Sequence, residues 1–138
     1  MSAAEARRRF AAARVARLAT VDARGHPHLV PIVFALARGT VYSVVDAKPK
    51  RTTELRRLQN VRSNPCVSVL VDHYDDADWS ALWWVRADGV ARVVDLAEPE
   101  ARSAVQLLAE RHPQQRAVGP VLAIDVERWS GWSARGAT

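Results

Sequence analysis

Residues 17–45 read RLATVDARGHPHLVPIVFALARGTVYSVV. Arg17 to Val21 has the short, half-apolar look of a strand, and Asp22 to Gly25 is a turn signal directly after it. His28 to Leu36 predicts a second strand, closed by Ala37, Arg38 and Gly39. Thr40 to Val45 is rich in β-branched residues and predicts a third. Three strands joined by tight turns make an antiparallel meander, and the fold is decided around it.

On the N-terminal side, Ser2 followed by Glu5 resembles a capping box, and the Ala/Arg-rich stretch to Arg14 predicts a helix. On the other side the pattern changes at Asp46. Lys48, Pro49, Lys50 and Arg51 form a basic loop, and Thr52 to Ser63 carries Leu55, Leu58 and Val61 at helical spacing. Asn64-Pro65 stops that helix. Cys66 to Val71 predicts a buried strand and His73 to Asp78 an acidic turn. Ser80 to Ala87 and Val90 to Asp95 flank Asp88-Gly89, a strong hairpin signal. Pro99 to His112 predicts an amphipathic helix, and Val121 to Val126 a last strand before a tail holding Trp129 and Trp132. Six or seven mostly antiparallel strands with inserted helices describe a mainly β fold. A small closed barrel fits better than an α/β sheet, whose strands would alternate with helices throughout.

The chain has 138 residues, the size of one ordinary domain, so a single domain over 1–138 is expected. An apolar fraction of 49% with 25% charged residues excludes a disordered chain. No run approaches the roughly 18 apolar residues of a membrane span, and Met1 to Phe10 is too charged for a signal peptide, so a cytoplasmic protein is expected. Cys66 is the only cysteine, which excludes a disulfide framework. The net charge of +5 is almost entirely arginine, Lys48 and Lys50 being the only lysines. That balance suits either a nucleic-acid binder or a domain holding a polyanionic cofactor. The arginines are spread over helices and turns rather than lining one face with aromatics, which argues against nucleic acid.

Two segments could carry chemistry. Lys48, Lys50 and Arg51 stand between the end of a strand and the start of a helix that Thr52 or Thr53 can cap. The helix N-terminus and the arginine fork both favour an anion, so this is either a phosphate clamp or a solvated basic turn. The stretch from Trp79 to Arg86 holds Trp79, Trp83 and Trp84. On a strand, Trp84 and Arg86 share one face while Trp83 and Val85 share the other. One face could stack on a planar ring, or these aromatics could belong to the core or a dimer interface. His26, His28, His73 and His112 show no metal-ligand spacing, and no nucleophile or glycine-rich phosphate motif is present. No metal centre is expected.

Taken together, LATVDARGHPHLVP, the basic segment KPKRTTELRRLQNVRSNP and the segment DHYDDADWSALWWVRADG at Asp72 to Gly89 resemble the flavin/deazaflavin oxidoreductase split-barrel superfamily. That superfamily includes the pyridoxamine 5′-phosphate oxidase-like proteins. The last segment resembles most specifically its small actinobacterial group of F420-dependent enzymes. The likeness covers about Arg14 to Val126.

The resemblance implies an FMN-binding type of split β-barrel, a homodimer with the cofactor in a groove between subunits. It implies that Lys50 and Arg51, with Thr52 at the helix start and Lys48 close by, hold the cofactor phosphate. It further implies that Pro31, Ile32 and Val33 lie beside the ring, and that Trp79, Trp84 and Arg86 border the same groove. The expected cofactor is F420, with FMN as the alternative. The expected reaction is hydride transfer to a small conjugated, electrophilic substrate, with any proton coming from solvent, Tyr42 or a histidine. A cofactor-binding role without turnover is the other reading. The pyridoxamine 5′-phosphate oxidases proper carry a longer C-terminal region with substrate-phosphate arginines, whereas the late basic residues here are Arg128 and Arg135. Pyridoxamine phosphate oxidation is therefore not the expected activity.

Overall fold

Seven strands make one antiparallel sheet that curls on itself, and a computed structural model describes it over residues 1–46 and 52–135. Ser2 caps the first helix, α1 (Ala3–Ala12), its hydroxyl accepting from the Glu5 N–H at 3.1 Å. The strands are β1 (Val15–Val21), β2 (Pro27–Val33), β3 (Ala35–Ala37), β4 (Thr40–Asp46), β5 (Cys66–His73), β6 (Trp83–Val94) and β7 (Ala117–Ser133). Helix α2 (Thr52–Ser63) joins β4 to β5, and α3 (Pro99–Arg111) joins β6 to β7. Their order across the sheet is β2-β1-β5-β6-β7-β4-β3.

The expected meander is present but bent. The second predicted strand breaks at Phe34, so that β2 pairs with β1 at one edge of the sheet while β3 pairs with β4 at the other. Phe34 is fully buried, its ring 4.8 Å from that of Phe10. This one buried corner carries the chain from one edge to the other and so curls the sheet. Edge strand β3 covers only Thr40 to Tyr42 of β4, and past it a split lies between β2 and β4.

The hairpin expected at Asp88-Gly89 does not form. Residues 83–94 are one continuous strand, β6, with a register shift between Asp88 and Gly89 in its pairing to β7. The glycine serves close approach rather than a turn: a Cβ at Gly89 would lie 2.3 Å from the Asp125 carbonyl oxygen. Instead of a strand start, Trp79–Ala81 is a short 3-10 turn capped by Asp78, whose carboxylate accepts from the Ser80 N–H at 3.0 Å. The expected C-terminal tail is also strand, since β7 runs to Ser133 and pairs Trp132 with Trp84.

Alternation along the strands gives the sheet two faces. Leu18, Val41, Val69, Val85 and Ile124 point into the barrel with Phe10 from α1 and Leu58 and Val61 from α2. A second core lies outside the barrel wall, where Tyr42, Val44, Val121 and Ala123 pack under Ala101, Ala104 and Leu108 of α3. Strands β4 and β7 are thus covered on both faces. Among the described residues, no helix lies over the outer face of β2-β1-β5-β6.

Candidate functional site

The split between β2 and β4 is a groove of about 620 Å³, within the size range of small-molecule sites. Pro31, Ile32 and Val33 form one wall, and Ser43 and Val44 of β4 the other. Arg57 of α2 and residues 111–115, from the last residue of α3 onwards, close it. Among the described residues β2 is an edge strand that pairs only with β1, which is why proline is tolerated in it. Pro31 lacks an N–H, so its ring nitrogen must sit on the free edge, towards the split. The groove therefore meets unpaired backbone on one side and side chains on the other.

Its charge is one-sided. The charged residues among its described lining are Arg57 and Arg111, with no carboxylate between them. Arg57 is buried. Arg111 donates to the carbonyls of Ala11 at 2.7 Å and Ala13 at 2.5 Å, and its guanidinium lies over the Phe34 ring, 5.6 Å from the centroid. Burial, and secondarily the nearby Arg14, pushes the Arg111 pKa down. His112 places Nε2 3.1 Å from the Phe34 carbonyl oxygen. Two enclosed polar atoms of this wall, Arg111 Nε and Gln115 Oε1, have no hydrogen-bond partner among the described residues. A groove that is positive, contains unspent polar atoms and opens on a strand edge suits a flat anionic ligand.

The expected site residues divide into groups. Pro31, Ile32 and Val33 line the groove together. Lys48, Lys50 and Arg51 lie outside the described residues, and Thr52 is the first residue of α2. Trp84 and Arg86 line a second hollow of about 740 Å³ on the outer face, with Arg17, Leu29, Leu70 and Asp72 among its walls. The two spaces adjoin, because Pro31 of the groove is the register partner of Arg17 of the outer hollow. Arg86 is already engaged, its Nε 3.1 Å from the Asp88 carboxylate, which also accepts from the Ser68 hydroxyl at 2.6 Å. Trp79 lines neither space and is 66% exposed.

Of the proposed proton sources, Tyr42 is turned away from the groove. Its hydroxyl donates to Glu100 at 2.7 Å, and burial followed by that carboxylate pushes its pKa up. Among the histidines, His112 lines the groove. His28 faces α2, where burial first, then Arg56 and Arg57, lower its pKa and favour the neutral ring. Of residues 111–115, only His112, among the histidines, is named from sequence, and the other four are missed. The expected helix ends within this stretch, but nothing in Arg-His-Pro-Gln-Gln separates a groove wall from an ordinary connection.

The sequence profile of the family described as pyridoxamine 5′-phosphate oxidase matches residues 2–133. No protein of curated function is detectably similar in sequence. Among solved structures, the chain is similar to a conserved hypothetical protein from Mycobacterium tuberculosis, with 26% identity and a TM-score of 0.74 over 98% of this chain and 86% of that one. It is also similar to an FAD-binding protein from Mesorhizobium loti, with 25% identity and a TM-score of 0.70 over 95% and 94% of the two chains. A heme storage protein from Vibrio cholerae shares the fold at 20% identity, with a TM-score of 0.72 over 96% and 95%.

Proposed function

Since this chain belongs to the pyridoxamine 5′-phosphate oxidase family, we propose that it is a homodimeric F420-dependent oxidoreductase that holds the deazaflavin in the groove at the barrel split and reduces a small conjugated acceptor. The observation that carries this is the groove itself: a slot of about 620 Å³ between an edge strand and two arginines, with no carboxylate among its described lining. Ser43 and Val44 of β4 and Arg57 of α2 all line it, and the sequence joining those two elements is the one that contains Lys48, Lys50 and Arg51. A basic connection between two walls of an anion-favouring groove supports a phosphate clamp there, with Thr52 at the helix start.

When bound, such a cofactor supplies hydride-transfer chemistry at its ring, and the protein supplies position and charge. Pro31 to Val33 offer a flat strand edge for the ring. Arg57 and Arg111 give the groove a positive field that favours an anionic ligand, and such a field is worth more there than in water. His112, held by the Phe34 carbonyl, is the titratable group placed to deliver a proton to an acceptor in the groove. The second copy would sit on the outer face, where Trp84 and Arg86 lie beside the groove mouth and Trp79 projects.

A flavin, FMN or FAD, is the second reading, favoured by the 25% identity to an FAD-binding protein along nearly the whole of both chains. Titrating the apo-protein with F420, with FMN and with FAD, followed by tryptophan quenching and cofactor anisotropy, separates the two. Tighter F420 binding supports the deazaflavin reductase, tighter binding of either flavin moves the protein to the flavin branch, and binding of none of the three sinks both. The double variant Lys50→Ala, Arg51→Ala should lose roughly 100-fold or more in cofactor affinity if both side chains make charge-assisted phosphate contacts. An unchanged affinity would remove the clamp from this loop.

A further inference from the structure

The chain is held at several points where α3 ends and turns towards β7. The terminal nitrogens of Arg111 are taken by the carbonyls of Ala11 and Ala13. His112 Nε2 is placed against the Phe34 carbonyl, and the Gln115 N–H donates to the His112 carbonyl at 3.0 Å. Against that background, Arg111 Nε and Gln115 Oε1 are both enclosed and without a partner among the described residues, and both residues line the same groove. Leaving a buried polar atom unsatisfied is costly enough that most are paired. A donor and an acceptor left unpaired on two residues that line one ligand-sized groove, on a segment held by its other contacts, are complementary to a ligand edge with the reverse pattern.

We propose that Gln115 and Arg111 read an imide-type edge on the ligand, Gln115 Oε1 accepting from its N–H and Arg111 Nε–H donating to the adjoining carbonyl. This rests on the cofactor reading above. The rings of F420 and FMN both end in a pyrimidinedione whose N3–H stands between two carbonyls, so either would present the required edge. Gln115 is then a specificity determinant that no sequence motif announces. Its place on the ligand is the pyrimidinedione end of the ring.

The test is a binding titration of the full chain with F420 and with FMN, each against its 3-methyl derivative, which keeps the ring and replaces the N–H with N–CH3. Wild-type protein should bind the parent roughly tenfold more tightly than the methylated ring, the size of one well-made hydrogen bond to a buried acceptor. Gln115→Leu should lose roughly that tenfold for the parent and no longer distinguish the two. The wild-type comparison needs no variant, so a misfolded Gln115→Leu leaves the proposal open to refutation. Binding of F420 or FMN without discrimination against the methyl group overturns the role of Gln115 and leaves the cofactor reading standing. Discrimination retained in Gln115→Leu also overturns it. Failure of both parents to bind removes the cofactor reading and this proposal together.

Discussion

Trp84 and Trp132 stand directly opposite each other on β6 and β7, and both are partly open to solvent, at 36% and 40%. Along the same face lie Leu70 and Leu29, the latter 68% exposed, with no helix above them among the described residues. Two paired tryptophans and two leucines on one open sheet face form the kind of apolar patch that single-copy proteins rarely leave uncovered. The expected occupant is a second copy, seated beside the groove mouth. Trp84→Asp should shift wild-type dimers to monomers at micromolar concentration in sedimentation velocity, with the melting temperature of the isolated fold little changed. A wild-type monomer at that concentration would remove the intersubunit groove.

Gly89 makes a different prediction. Its Cβ position is blocked by backbone rather than by a movable side chain, with the Asp125 carbonyl oxygen at 2.3 Å. Gly89→Ala must push β6 and β7 apart at the point where their register shifts. The expected cost is about 2–3 kcal/mol, at the upper end of overpacking penalties. A chemical denaturation midpoint within error of wild type would show that the strands part freely there.

The same glycine shows where sequence ceased to be a guide. Asp88-Gly89 is a hairpin signal by local rules, and the element it truly serves is 36 positions away in sequence. Local propensity does not contain that contact. The strands of 17–45 were legible because alternation and turn residues are local, yet the bend at Phe34 was not, since a buried corner and a continuing strand share one apolar pattern. The faces of Trp84 and Arg86 followed from strand parity, whereas which space they face depended on curling the whole sheet. Pro31 to Val33 came from resemblance, and Gln115 from neither source, because an unpaired amide is a property of its surroundings.

Phe34 is the joint between β2 and β3, packed against Phe10, under the Arg111 guanidinium and beside His112 through its own carbonyl. Phe34→Ala should cost about 3–5 kcal/mol, as large-to-small changes at fully buried aromatics do. Phe34→Leu, which keeps most of the volume, should fold but lose the ring beneath Arg111. Its cofactor affinity should then fall by a larger factor than its stability alone accounts for. Equal cofactor affinity in a well-folded Phe34→Leu would mean that the groove wall does not depend on this corner.

The last prediction concerns acid. Arg92 bridges Glu100 of α3 to Asp125 of β7, at 2.7 and 2.8 Å, and Tyr42 donates to the same Glu100. The Arg92 contact, and after it the Tyr42 hydroxyl, hold Glu100 down to about 2 from an ordinary 4.5. Arg92 likewise keeps Asp125 below the usual carboxylate range. Carboxylates depressed in the folded state contribute stability that is fully present above their unfolded values and is lost as they protonate. Stability should therefore hold down to about pH 5 and fall between there and pH 2. Because the Arg92 and Glu100 side chains are 43% and 35% exposed, solvent screening reduces the Glu100 share to about 1–2 kcal/mol. Glu100→Gln should lower stability at pH 7 by about that amount and flatten the acid limb, measured as denaturation midpoints across pH. An acid limb identical in slope to wild type would place the titrating groups elsewhere.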